Sequence, residues 1–451
     1  MNNKNLIKSN PIALIPFAVF IIIYLGSGIF LQSKGVEMAF YQFPAPTAVF
    51  IGVITAFIIL EGSTEEKFMT FINGCGEENI VIMCIIYLLA GAFSAVSSAM
   101  GGVESTVNLG LTLIPPQYVT AGVFLIACFI SLATGTSCGT MAAITPIAVG
   151  LAQKAGLNLP LTMAAVVGGA MFGDNLSIIS DTTIAATRTQ GVEMRDKFRM
   201  NLIIALPPAI ITFVLLLIFG KPVNPIRVAE YSYDIVKVLP YVFVLVMAIL
   251  GMNVFWVLVS GMFISGVIGL TYGDLTFLSF GQEVYTGFLS MIDIFIVSML
   301  TGGLAHMITK AGGLQFLLDK IKIAIKNKKS AEIGIAALVS ITDIAIANNT
   351  VSIIINGPIA KEISQEYKVD PRRSASFLDI FACIMQGAIP YGAQMLMVGS
   401  FTKGAVAPLQ VMPLLWYQWL LGISAIISIF IPFADGLIKK HPWDWEQNKA
   451  L

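Results

Sequence analysis

Residues 11–31 and 201–219 run without a single charged side chain, each over a length that matches the roughly 20 residues needed to cross a lipid hydrocarbon core. Several further stretches are nearly as apolar. Only 12% of the 451 residues are charged and 57% are hydrophobic, against about 25% charged in soluble domains. A soluble fold could not clothe so much apolar surface, whereas lipid removes that demand. The runs are continuous and do not alternate, so helices are expected and not a barrel. The reading is an all-α integral membrane protein of the cell (inner or plasma) membrane. Its environment is lipid, and a net charge of zero gives no reason to expect nucleic-acid binding. Cys75, Cys84, Cys128, Cys138 and Cys383 form no C-x-x-C pair and read as small apolar fillers.

About ten transmembrane helices can be drawn, over 12–31, 45–61, 80–100, 161–187, 200–219, 235–250, 254–270, 288–308, 374–400 and 411–433. Two other apolar stretches are interrupted. One, about 118–153, is broken by Thr134-Gly135-Thr136-Ser137-Cys138-Gly139-Thr140; the other, about 331–363, by Ala347-Asn348-Asn349-Thr350. With arms of about 15 residues these read as re-entrant hairpins, short for a crossing. Irregular backbone at that depth is tolerated where it is buried in protein or lines a water-filled cavity.

Loop charge sets the orientation. With the N-terminus, which carries Lys4 and Lys8, on the cytoplasmic side, 20 Lys and Arg fall inside, among them Arg188, Arg195, Lys197 and Arg199; only Lys34, Lys154, Lys221, Arg227, Lys237 and Lys403 fall outside. Both termini are then cytoplasmic. The chain also repeats its features at an offset of 211–212: Gly91 on Gly302, Gly101-Gly102 on Gly312-Gly313, Thr136-Ser137 on Asn348-Asn349, Pro146 on Pro358. Five spans and one hairpin per half give residues 1–220 and 221–451 opposite orientations. The expected architecture is two inverted-topology repeats with discontinuous helices, a recurring design of secondary transporters.

Four polar clusters fall inside apolar segments. Phe172-Gly173-Asp174-Asn175-Leu176-Ser177-Ile178-Ile179-Ser180-Asp181-Thr182-Thr183 holds two carboxylates, costly in lipid without partners or water. Gly173 and the Ser/Asn density suggest that the helix unwinds there, freeing carbonyls that suit a hard cation such as Na+. Gln386-Gly387-Ala388-Ile389-Pro390-Tyr391-Gly392-Ala393-Gln394 takes the matching place in the second half, with a proline that removes an amide donor. The hairpin tips bring Thr136 and Ser137, and Asn348, Asn349 and Thr350, which suit a cation, a substrate carboxylate or simple helix capping. Asp343 is a candidate proton carrier or ion ligand. Asp379 either reaches the site or pairs with Arg372 or Arg373. Glu104 is expected in solvent, and Asp293 and His306 more often satisfy local bonds. No Gly-Lys-Ser/Thr follows Gly135, so there is no P-loop; Ser137 and Cys138 have no His close in sequence to act as a base, so an enzyme is not expected.

The run Gly135-Thr136-Ser137-x-Gly139-Thr140, with Phe172-Gly173-Asp174 and Ser180-Asp181-Thr182-Thr183, resembles the NhaC family of sodium/proton antiporters. The second-half run 342–350, Gly357-Pro358-Ile359-Ala360 and 390–394 looks like a branch of the same family, and the resemblance covers about residues 80–400. Many members have Trp where Cys138 stands, and Lys and Pro where Asn175 and Ile178 stand. The resemblance implies Na+/H+ antiport without a cofactor beyond Na+ and H+ themselves, and it leaves a small organic substrate open, since members are thought to exchange malate for lactate or to carry amino acids. The site expected is Thr136, Ser137, Asp174, Asn175, Ser177, Ser180, Asp181, Thr182, Asp343, Asn348, Asn349, Thr350, Gln386, Tyr391 and Gln394, with Asp174 and Asp181 as the Na+ candidates. A Na+- or H+-coupled amino-acid or carboxylate carrier is the alternative, a channel is a third class, and a homodimer is compatible with either carrier.

Overall fold

Proline and glycine punctuate an almost entirely helical chain. The computed structural model describes residues 8–34, 36, 39–178, 180–222, 232–250 and 252–443; Lys4, Ile179 and Arg227, used above, lie outside them. The first half contains α1 (Ile15–Ser33), α2 (Ala45–Ile59), α3 (Thr64–Cys75), α4 (Glu78–Ala99), α5 (Gly102–Leu113), α6 (Pro116–Thr134), α7 (Ser137–Ala155), α8 (Leu159–Leu176), α9 (Asp181–Gln190) and α10 (Met194–Phe219). The second contains α11 (Ile235–Ile249), α12 (Val254–Tyr272), α13 (Phe277–Ser290), α14 (Ile292–Lys310), α15 (Gly313–Ala324), α16 (Lys328–Ile346), α17 (Asn349–Tyr367), α18 (Pro371–Ala388), α19 (Ala393–Phe401) and α20 (Trp416–Phe430).

Eight helical stretches among the described residues are long and apolar enough to cross a bilayer, with Leu159–Gln190 and Pro371–Phe401 each counted once across its break. Large apolar side chains such as Ile22, Phe30, Phe129, Ile218 and Phe263 are exposed on the exterior. In water that would be a liability; in lipid it is the ordinary exterior of a membrane protein. Ala45–Ile59 and Ile235–Met247 are apolar but shorter, and Trp416–Phe430 reaches spanning length only with Pro408–Leu414.

Each hairpin turns on two residues. Gly135 takes a left-handed backbone (φ 68) that ends α6, and Thr136 caps α7 by accepting from Gly139 N. In the second hairpin Ala347 takes the same conformation (φ 55) and Asn348 caps α17 by accepting from Val351 N. Glycine adopts that backbone freely, whereas alanine is strained there by about 1–2 kcal/mol. The arms α6, α7, α16 and α17 are 19 residues each, not about 15, and reach 116–155 and 328–367. They are longer than their polar tips suggested because Pro115-Pro116 and Asn327 start them earlier. The helix bounds recur at one spacing: α6 and α16, α7 and α17, α8 and α18, and α9 and α19 each begin 212 positions apart.

The two halves meet through glycine. A Cβ on Gly91 in α4 would overlap the backbone of Gly287 in α13, and one on Gly287 would overlap Gly91 and Ala92. Close helix approach of this kind is how membrane helices gain packing energy where lipid supplies no hydrophobic drive.

Three expectations are corrected here. The span expected over 288–308 begins at Ile292, because α13 is a separate helix capped by Thr276. Gly173 does not unwind its helix: α8 continues to Leu176, and Gly173 serves close contact with Ser131 and Leu132 of α6. Lys197 is not a loop charge but a fully buried side chain in the first turn of α10.

Candidate functional site

Asp174 lies in the last turn of α8, where unpaired carbonyls make the helix end negative. A carboxylate there needs compensation, and three side chains supply it. Ser137, the first residue of α7, donates to Asp174 Oδ2 at 2.8 Å. Ser180, the N-cap of α9, donates to Oδ1 at 2.6 Å. Asn349, the first residue of α17, approaches Oδ2 through Nδ2 at 3.4 Å. Three helix N-termini, the positive ends of their helices, thus gather at one buried carboxylate. Its lone pairs outnumber these donors, which leaves coordination to spare.

The second half contributes a glutamine where the first has the acid. Gln386 stands 212 positions after Asp174, and each lies two residues before the end of its helix. Gln386 Nε2 donates to Gln394 Oε1 at 3.0 Å, Gln394 Nε2 to Ser137 Oγ at 3.1 Å, and Ser137 to Asp174. The two broken helices are thereby joined through a hairpin tip. Gln386 Oε1 is buried and accepts no hydrogen bond from any described group.

A cavity of about 520 Å³ opens beside these groups, lined by Thr136, Ser137, Asp174, Asp181, Thr182, Asn348, Asn349, Thr350, Gln386 and Gln394, all expected from sequence, together with Thr134, Cys138, Asn253 and apolar residues of α4. It carries two carboxylates and no lysine or arginine among its described lining. Much of the tips' oxygen is already committed to capping: Asn348 Oδ1 accepts from Val351 N at 3.0 Å and Asn349 Oδ1 from Thr350 N at 2.9 Å.

The remaining expected residues do not line it. Ser180 is buried behind Asp174. Ser177 is buried, with its carbonyl taken by Thr183 Oγ1 at 2.7 Å. Asp343 is fully buried on α16 with Ser352 Oγ donating at 3.3 Å, and its Oδ2 has no partner among the described groups. Tyr391 points the other way: its hydroxyl donates to Ile344 O at 2.7 Å, and its ring packs edge-on against Phe17 and Phe20 of α1. Asp181 is the first residue of α9 and is exposed, on the open side of the cavity. Asp174 and Asp181 thus line the same cavity, one buried and one exposed. Glu104 is exposed, as expected, with Lys154 beside it.

Asn175 belongs to a second polar centre behind the cavity, which the sequence reading missed. Its Nδ2 donates to Asp379 Oδ2 at 3.3 Å, where Asn201 Nδ2 also donates at 3.0 Å. Lys197 pairs with the same oxygen. Asp379 thus takes neither Arg372, which pairs with Asp370, nor Arg373, which pairs with Glu332 and Asp435. The available signal was Lys197 and Asn201, one turn apart on the face of α10 that carries Ile204, Ala205 and Pro208 inward; flanking Arg195, Asp196 and Arg199 hid it. Cys138, read as a filler, lines the cavity and accepts weakly from Gln394 Nε2 at 3.7 Å. Among the described residues no group of three His, Cys, Asp or Glu could hold a metal.

Relatives of known kind share this chain's length. It is 24% identical to a malate-2H+/Na+-lactate antiporter of Bacillus subtilis, covering 96% of this chain and 97% of that protein. It is 25% identical to the Na+/H+ antiporter NhaC of the same organism, covering 79% and 84%. An arginine/ornithine antiporter, ArcD, of Halobacterium salinarum is 23% identical over 82% of each chain. Among solved structures, the YdaH transporter of Alcanivorax borkumensis is 12% identical over 86% of this chain and 91% of its own, with a TM-score of 0.43. The chain is a multi-pass membrane protein with two helices broken beside a buried carboxylate, and the model of the Na+/H+ antiporter family matches residues 1–221 and 228–433. The chain belongs to that family.

Proposed function

We propose that the protein exchanges Na+ for H+ across the membrane and that the two cations occupy Asp174 in turn. The observation that carries this is the setting of Asp174: a buried carboxylate on the wall of a cavity with no basic residue in its described lining, held by Ser137, Ser180 and Asn349. Burial without a basic partner makes a cation or a proton the means of neutralising it. Gln386 Oε1, with no hydrogen bond of its own, is the second oxygen for Na+. Asp181, with Glu78 nearby, stands at the mouth and draws cations inward.

Residues 1–220 and 221–451 act as inverted repeats, with both termini cytoplasmic. The 212-residue recurrence of helix bounds and the lysine-rich segment Lys320–Lys329 against the uncharged segment 105–117 support this. Alternating access then moves the hairpins and broken helices against the remaining helices. In proteoliposomes with an imposed Na+ gradient, the wild type drives proton flux and Asp174→Asn does not; full flux in Asp174→Asn rejects the assignment.

A second reading is favoured by the cavity itself. Its volume of about 520 Å³ is in the range that holds small organic ligands, and relatives are named for malate, lactate, arginine and ornithine. A cation-coupled carrier of such a solute would place the solute against the hairpin tips. Uptake of labelled carboxylates and amino acids under a Na+ gradient decides it; no accumulation of any of them rejects this reading.

A further inference from the structure

Lys197 and Asp379 have side chains 1% and 0% exposed, and neither lines the cavity. Such a pair costs desolvation energy that Coulomb attraction alone does not reliably return, so its surroundings matter. The Lys197 ammonium donates to Asn175 O at 2.6 Å and to Thr183 Oγ1 at 2.7 Å, and it pairs with Asp379 Oδ2. An ammonium has three N–H donors and no acceptor, and here three oxygens take all three. They come from three elements: a carbonyl left open at the end of α8, a hydroxyl in the first turn of α9, and a carboxylate on α18. A carbonyl, a hydroxyl and a carboxylate converging where a membrane helix unwinds are the donor types that hold an alkali cation. The backbone that supplies the carbonyl is the residue next to Asp174, so this nest lies back to back with the exchange carboxylate. Asn201 keeps it in register, since its Nδ2 donates to Asn175 O at 3.2 Å and to Asp379, while its Oδ1 accepts from Ser376.

We infer that Lys197 is a tethered cation: its ammonium permanently fills a second alkali-cation site built from Asn175 O, Thr183 Oγ1 and Asp379, so that Asp379 takes no part in the ion exchange at Asp174. The consequence for coupling rests on the reading of Asp174 given above, whereas the filled nest does not. The tether neutralises Asp379 without drawing an ion from solution, so Asp379 adds no cation to the cycle. It also holds the α8 end and the α9 start together through one atom, which keeps the break in shape when Asp174 is empty.

The test is the thermal stability of the purified full-length protein in NaCl and in choline chloride at equal ionic strength, choline being too large for the nest. Lys197→Ala vacates it, whereas Lys197→Met fills the space without charge. Both are made alone and with Asp174→Asn. The expected result is that D174N/K197A melts several degrees higher in NaCl than in choline chloride, rising with the logarithm of NaCl concentration as mass action requires, while D174N/K197M shows no such gain. An equal response of the two, or failure of Lys197→Ala to fold in either salt, overturns the inference. Failure of the Asp174 reading is visible separately: a Na+ response of the wild type that survives in Asp174→Asn alone counts against that reading, and the excess of K197A over K197M is unaffected by it.

Discussion

Ser137 Oγ donates to Asp174 Oδ2 across 2.8 Å and accepts from Gln394 Nε2 at 3.1 Å, so one hydroxyl ties a hairpin tip to both broken helices. Removing it in Ser137→Ala deletes a charge-assisted hydrogen bond, worth about 1.5–3 kcal/mol when intact. The Na+ concentration for half-maximal proton flux is expected to rise by about tenfold or more, tenfold being 1.4 kcal/mol. Titration of vesicle flux against external NaCl reads this directly, and an unchanged midpoint would remove Ser137 from the site.

Protons and Na+ compete if they share Asp174. A ligand carboxylate must be deprotonated to bind, so Na+ binding releases a proton. The sign follows: as pH falls through the range where Asp174 takes up a proton, apparent Na+ affinity drops, by up to tenfold per pH unit, while the maximal rate at saturating Na+ holds. Measured midpoints that stay constant as pH falls from 8 to 5 would separate the proton from this carboxylate.

Asp181 is predicted to matter less than Asp174. It is the first residue of α9, where the helix end already favours negative charge, and it lies on the open side of the cavity. Asp181→Asn is expected to raise the Na+ midpoint a few-fold at low ionic strength, an effect that shrinks as salt screens the mouth, with turnover retained. Complete loss of flux would instead place Asp181 among the ligands.

Ala347 holds the left-handed conformation that Gly135 holds in the other hairpin. Ala347→Gly relieves that strain, so the variant is expected to gain about 1 kcal/mol in the folded state, partly offset by the greater freedom of glycine in the unfolded chain. A higher melting temperature with unchanged flux is the expected result; a lower one would show that the methyl group packs more favourably than the backbone strain costs.

Much of this arrangement was legible in the sequence because lipid punishes exceptions. Asp174, Asn348, Asn349 and Gln386 stood out as polar groups inside apolar runs, and ten of the expected residues line one cavity. The breaks after Leu176 and Ala388 followed from Ser177, Ser180 and Pro390. What could not be read was direction. Asn175 and Asp174 are neighbours in sequence, yet they face different centres, because successive helix residues are about 100° apart. Tyr391 lay in a polar motif but packs on Phe17 and Phe20, a contact no local pattern contains. Lys197 was misplaced because a lysine among Arg195, Asp196 and Arg199 looks like any cytoplasmic loop charge; only the fold brings Asp379 to it from 182 positions away. The short helices α3, α5, α13 and α15 escaped because they are too brief to span.

The absence of lysine and arginine from the described lining of the cavity has a consequence for any solute larger than an ion. An organic acid arriving there meets Asp174 and Asp181 and, among the described lining, no basic side chain to offset them, so it binds best when it travels with protons or Na+. Co-transport of cations would then favour occupancy, through charge alone. A carrier built on this wall has its coupling written into its selectivity, and any variant that introduced an arginine beside Asp174 would let the acid bind alone and uncouple the two.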